Sequence, residues 1–149
     1  MKFSNGCWLQ KEGTSCFSPA EVYYYKVCEG KLIITAPTSP IRHRGDTLGG
    51  VNLTIEITTP MPEVIRVKTS HYLGVQKKSP EFELDNINEG EIDLKDEEGR
   101  LIVSSGTFRL EIDKGSCAMR FFRGDELVTS SGWRDLAYMK TDWKGLPYD

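Results

Sequence analysis

The sequence has no hydrophobic run longer than a few residues, far short of the roughly 20 that a bilayer-spanning helix requires. No membrane contact is expected. The start, Met1-Lys2-Phe3-Ser4-Asn5-Gly6, reaches Asn5 and Gly6 before any apolar stretch forms, so no secretory signal is read and the expected compartment is the cytoplasm. Neither sign of charge dominates. Nineteen basic against twenty-two acidic side chains give a net charge of −3, which supplies no general field for the phosphates of a nucleic acid. Histidine is scarce: His43 and His71 are far apart, and neither has a second His or Cys at ligand-pair spacing, so no metal is expected. Cys7, Cys16, Cys28 and Cys117 include no C-x-x-C pair. They read as free thiols, with a Cys7–Cys16 disulfide as the alternative in an exported protein. A G-x-S-x-G elbow, a P-loop and a dinucleotide-type glycine motif are all missing, and no cofactor is expected.

What remains is an ordinary globular composition, 38% hydrophobic and 28% charged over 149 residues. Such a length suits one domain that buries about 68–70% of its unfolded surface. The apolar period is two almost throughout. Val51, Leu53, Ile55 and Ile57 alternate with Asn52, Thr54, Glu56 and Thr58, giving a strand with one buried face. Pro60-Met61-Pro62-Glu63 is expected to leave the ladder, because proline lacks the N–H, and to turn the chain into a partner strand over Val64–Ser70.

Further hairpins are expected from Glu21–Val27 with Lys31–Ala36 around Glu29-Gly30, and from Glu91–Leu94 with Arg100–Ser104 around Gly99. Thr107–Asp113, Cys117–Arg123 and Glu126–Thr129 continue the series as a meander. The fold class is all-β, an antiparallel sandwich or an open barrel. Ala36–Leu48 reads as a long connection crossing between sheets, and the tail from Ser130 carries apolar area without an obvious element.

Catalytic chemistry has little to stand on. Paired carboxylates suit glycoside hydrolysis at separations of about 5–9.5 Å, and Asp46, Asp85, Asp135 and Asp142 lie near turns or aromatics. None is assigned a catalytic role. Glu91, Asp93, Asp96, Glu97 and Glu98 look like the solvated face of a hairpin and its loop. Tyr23, Tyr24 and Tyr25 alternate across a strand and form no common platform, whereas Tyr72, Trp133 and Trp143 are each able to stack on a sugar or pack under a loop.

Met1-Lys2-Phe3-Ser4-Asn5-Gly6-Cys7-Trp8-Leu9 is similar to the M-K-x-S-x-G-x-W-L that opens the α-xylosidases of glycoside hydrolase family 31. The more specific part runs from Ile41 to Gly74: Arg42-His43-Arg44, Leu48, the strand Val51–Thr58, a proline turn, Ile65–Thr69 and His71-Tyr72-Leu73-Gly74. Ser79-Pro80 before Glu81-Phe82-Glu83-Leu84, then Gly106-Thr107-Phe108-Arg109-Leu110, Lys114-Gly115 and Phe121-Phe122-Arg123 extend it, while Trp133–Asp149 matches poorly.

The resemblance implies a galactose-mutarotase-like N-terminal β-sandwich over 1–149, incomplete at its C-terminal end and preceding a (β/α)₈ barrel that this chain lacks. In the family, α-linked xylosides or glucosides are hydrolysed with retention by two aspartates of the barrel. Neither aspartate can be carried onto this chain, and the Y-G-x-G-E motif before the family's active-site loop is absent from it. The partner implied is the barrel of the same polypeptide, with substrate met through it. Arg42, Arg44, His71 and Tyr72 are the candidates for a domain interface or sugar contact. Unpaired strand edges are expected to favour self-association. The alternatives are a free-standing carbohydrate-binding module and a purely structural interaction domain.

Overall fold

The computed structural model describes residues 12–71, 91–143 and 146–148. In chain order its strands are β1 (Thr14–Phe17), β2 (Tyr24–Cys28), β3 (Lys31–Pro37), β4 (Asn52–Met61), β5 (Val64–Ser70), β6 (Asp93–Glu97), β7 (Arg100–Ser105), β8 (Phe108–Asp113), β9 (Met119–Arg123), β10 (Glu126–Ser131), β11 (Tyr138–Trp143) and β12 (Leu146–Tyr148). Two antiparallel meanders make the main layers, one of four strands in the order β2-β3-β4-β5 and one of five in the order β10-β9-β8-β7-β6. A third sheet, β1-β11-β12, joins the two ends of the chain. The fold is all-β, as the alternation requires.

Period-two patterning decides which side of each sheet is dry. Leu32, Ile34 and Ala36 of β3 and Leu53, Ile55 and Ile57 of β4 are buried in one cluster with Leu101 and Val103 of β7, Leu110 and Ile112 of β8, and Met119 of β9. Register keeps these sets together: Ile34 lies opposite Ile55, Leu101 opposite Ile112, and Val103 opposite Leu110. The sandwich core lies between the two meanders. The β2–β3 turn is a two-residue loop, and both Glu29 (φ 51°) and Gly30 (φ 68°) adopt the left-handed backbone whose twist suits a tight hairpin.

Three expectations are corrected. Pro60 and Met61 stay in β4, which continues to Met61 through a register shift between Thr58 and Met61, and the turn falls at Pro62-Glu63. A bulge tolerates proline because one residue there is already outside the ladder. Residues 38–51 do not cross between sheets: they return the chain from β3 to its neighbour β4, with a short 3-10 turn at Arg44–Thr47. The tail also has an element to hold it, since β11 pairs with β1 and with β12. The pairing with β1 is non-local, and sequence spacing carries no trace of it.

The layers are tied at both ends. At one end the Glu63 carboxylate, on the β4–β5 turn, accepts from the Thr107 N–H at 2.8 Å and from the Thr107 hydroxyl at 2.5 Å. Gly106 beside it has φ +61°, and a Cβ there would lie 2.0 Å from Glu63 Oε1. Backbone conformation and close approach both require glycine at this turn. Ser105 adds a bond from its hydroxyl to the Met61 carbonyl at 3.3 Å. The other end is closed by Asp96 of β6, which accepts from the Tyr25 hydroxyl of β2 and from Lys114.

Candidate functional site

The end of the sandwich that carries Lys114 also carries the loop over 38–51. Its base is closed by Thr38, whose N–H and hydroxyl both donate to the Val51 carbonyl at 3.0 Å. Glu21 holds the loop from the side. Its carboxylate accepts from the Ile41 N–H at 2.8 Å and from Arg42 Nη1 at 2.7 and 3.0 Å. The Arg42 guanidinium, then the Ile41 N–H, keep this carboxyl below the usual carboxylate range. Asp46 organises the tip: its Oδ2 accepts from the N–H groups of Arg42 at 2.8 Å and His43 at 3.0 Å. His43 Nδ1 accepts from the Gly45 N–H at 3.1 Å, which completes a reciprocal cap on the 3-10 turn.

Each candidate from the sequence can now be placed. Arg42 is a loop fastener, paired with Glu21. Arg44 is exposed and gives only its carbonyl to the fold, accepting from the Thr47 hydroxyl at 2.8 Å; its guanidinium has no partner among the described residues. His71 follows β5 and packs its ring on Tyr138 of the third sheet, centroids 4.1 Å apart and planes inclined at 30°. No hydrogen bond, ion pair or ring contact joins His71 to Arg42 or Arg44 among the described residues. Tyr72 lies outside the described residues. The structure thus brings together one part of the expected set, the loop, and gives His71 a separate task of fixing the third sheet.

The loop also presents Leu48, 81% exposed, the last residue of the connection read from the sequence.

Other chemistry is already committed to the fold. Asp46 and Asp135 both cap loops, Asp135 accepting from the Gly132 N–H at 2.6 Å, while the side chains of Asp85 and Asp142 lie outside the description. Among the described residues no group of three His, Cys, Asp or Glu side chains is placed to hold a metal ion. Cys16, Cys28 and Cys117 are free thiols, and burial, aided by the charges of Asp113 and Glu21, pushes the Cys117 thiol up to about 12. A thiolate nucleophile is excluded there at neutral pH. Trp133 is half exposed, but the Arg134 guanidinium lies 4.1 Å from its ring centroid and covers one face. Trp143 has no described side chain, and Cys7 lies outside the described residues.

The acidic hairpin is more than a solvated face. Asp96 is shared by Tyr25 and Lys114, and Lys114 also donates to the Glu97 carbonyl at 2.9 Å. Lys114 first, then the Tyr25 hydroxyl, hold the Asp96 carboxyl below its usual range. Hydrogen bonding to Asp96 raises the Tyr25 phenol. The sign for stability follows from these directions. A depressed carboxyl stabilises fully above its unfolded value, near pH 4, and loses its share as pH falls through the folded value. The Tyr25 contribution runs the other way, full below about pH 10 and lost as pH rises through the elevated folded value. Asp96→Asn is therefore expected to be less stable than the natural chain at pH 7, with the gap closing below about pH 4. Urea unfolding at both pH values checks this, and a gap unchanged in acid contradicts it.

With this geometry in view, no family profile matches the chain. Two curated proteins do. The chain is 33% identical over 133 residues to the α-xylosidase XylQ of Lactiplantibacillus pentosus, a match covering 88% of this chain and 17% of that protein. It is 32% identical over 114 residues to an α-xylosidase of Emericella nidulans, covering 76% of this chain and 14% of that one. The chain is a relative of the α-xylosidases. Its match fits an N-terminal domain of a family 31 enzyme, the resemblance already carried by Ile41–Gly74. The chain spans about one-sixth of the length of the relatives it matches. No helix among the described residues is long and apolar enough to cross a membrane.

Proposed function

We propose that this α-xylosidase-like chain is the non-catalytic, galactose-mutarotase-like N-terminal β-sandwich of an enzyme that hydrolyses α-linked xylosides or glucosides with retention. The sandwich docks on the catalytic barrel of the same polypeptide and frames the mouth of its active site. The observation that carries the reading is a match across 88% of this chain that takes up 17% of an α-xylosidase. The carboxylates described above support it, because Glu21, Asp46, Glu63 and Asp96 are each committed to loops or to joining sheets. In this reading the loop over 38–51 is the docking element, with Arg44 and Leu48 as its contacts and Arg42 and His43 as its internal supports.

The test separates the two halves of the proposal. The 149-residue chain alone is expected to release no chromophore from a chromogenic α-xyloside. Hydrolysis that disappears with one Asp substitution within these residues overturns the non-catalytic half. Mixed with a separately produced barrel of the same enzyme, the chain is expected to form a one-to-one complex that Leu48→Asp combined with Arg44→Glu weakens at least tenfold, a loss of about 1.4 kcal/mol. Unaltered binding by that variant removes the loop as the docking element.

A further inference from the structure

One peptide unit at the tip of the loop over 38–51 is pinned at both ends by side chains. The Arg44 carbonyl accepts from the Thr47 hydroxyl at 2.8 Å, and the N–H of the same unit, that of Gly45, donates to His43 Nδ1 at 3.1 Å. An imidazole nitrogen accepts only when it carries no proton. In this arrangement the neutral ring therefore holds its one proton on Nε2, which lies 3.3 Å from Asp46 Oδ1. The two contacts agree on one tautomer. Gly45 sits close against the ring, since a Cβ added to it would lie 3.1 Å from both His43 Cε1 and Nδ1.

We propose that His43 is a proton-operated latch on this loop: the neutral ring holds the Arg44–Gly45 peptide through Nδ1, and the protonated ring releases the Gly45 N–H. The charged ring carries a proton on each nitrogen, so neither can accept, and turning the ring over does not restore the bond. Histidine is the side chain whose charge ordinarily changes between pH 5 and 8, and the His43 side chain is 74% exposed, so protons reach it directly from water. The charged groups about it are Asp46, its ion-pair partner, and the flanking Arg42 and Arg44. Asp46 favours the charged ring, while the Gly45 N–H and the two arginines favour the neutral one. The rest of the loop stays closed. Glu21, held below the usual carboxylate range, keeps its grip on the Ile41 N–H and Arg42 throughout that interval. Asp46 Oδ2 goes on accepting from the N–H groups of Arg42 and His43. The change is thus confined to one peptide unit, the one that follows the Arg44 side chain. This inference concerns the loop alone and does not rest on the docking reading.

Nuclear magnetic resonance of the nitrogen-15-labelled 149-residue chain tests it at about pH 7.5 and about pH 5, on either side of the ordinary histidine range. Long-range nitrogen–proton correlations at the higher pH are expected to show the His43 proton on Nε2. Hydrogen exchange of the Gly45 amide, corrected for the intrinsic rate at each pH, is expected to show about fivefold less protection at the lower pH, the loss of one side-chain cap. His43→Asn places an amide oxygen on Cγ where Nδ1 stood, an acceptor that does not titrate, and is expected to keep Gly45 equally protected at both pH values. His71→Phe removes the other imidazole and is expected to leave the pH dependence in place. A neutral His43 ring with its proton on Nδ1 overturns the proposal. So does Gly45 protection that is equal at the two pH values in the natural chain, a pH dependence that survives His43→Asn, or one that His71→Phe abolishes.

Discussion

Ile34→Ala is expected to lower the unfolding free energy by about 2–5 kcal/mol, whereas Ile33→Ala, one residue earlier, is expected to cost about 1 kcal/mol or less. The two residues are chemically identical and share β3. Ile34 is 0% accessible, lies opposite Ile55, and belongs to the cluster fed by both main sheets. Its truncation removes three methyl or methylene groups from a packed interior and leaves a cavity that neighbours on regular strands cannot readily fill. Ile33 points to the other side, in a row with Lys26 and Glu56, where water replaces what is removed. Urea unfolding with an unchanged m-value measures both effects. Equal losses at the two positions would contradict a sandwich with one dry face per sheet.

Glu111→Ala is expected to cost about 3 kcal/mol, the lower part of the range for removing one partner of a buried ion pair, because the arginines around it are partly wet. Glu111 sits on the outer face of the five-stranded sheet and is nevertheless only 6% accessible. Arg100 Nη1 and Arg120 Nη2 each donate to its Oε2 at 3.2 Å. Arg109 Nε lies 3.2 Å from Oε1 as a charge contact without hydrogen-bond alignment, its guanidinium stacked on Phe122 at 4.6 Å. Three cations therefore converge on one carboxylate. Without it they repel one another, and salt is expected to restore part of the loss by screening half-exposed charges. Arg120→Met in the same chain is expected to restore a further part. A Glu111→Ala variant as stable as the natural chain, at low salt, would show that the arginines do not need this anion.

The candidate loop was only partly legible before the fold was known. Arg42-His43-Arg44 stood out as a run, but the sequence does not show that Arg42 pairs with Glu21 across the surface while the Arg44 guanidinium has no partner among the described residues. That difference depends on where β2 and β3 place Glu21, some twenty residues away. Leu48, which the sequence placed at the end of the connection without a stated exposure, is 81% exposed. His71 gave no hint of Tyr138 as its partner, because the third sheet joins segments from the two ends of the chain.

The sequence by itself determined the all-β class, most of the hairpins and the inward faces of the strands. A period of two is local physics: each residue's side is set by its neighbours, and turns announce themselves through Gly, Pro and Asp. The shortage of histidine, the lack of nucleophile motifs and the near-balanced charge likewise narrowed the chemistry without coordinates. Tertiary structure alone decided what long-range pairing decides. It kept Pro60 and Met61 in a bulged strand, returned residues 38–51 to the sheet they came from, and gathered three arginines around Glu111 from β7, β8 and β9. It also left β10 unpaired among the described residues, and an edge is defined by the absence of a neighbour, which strand patterning cannot reveal.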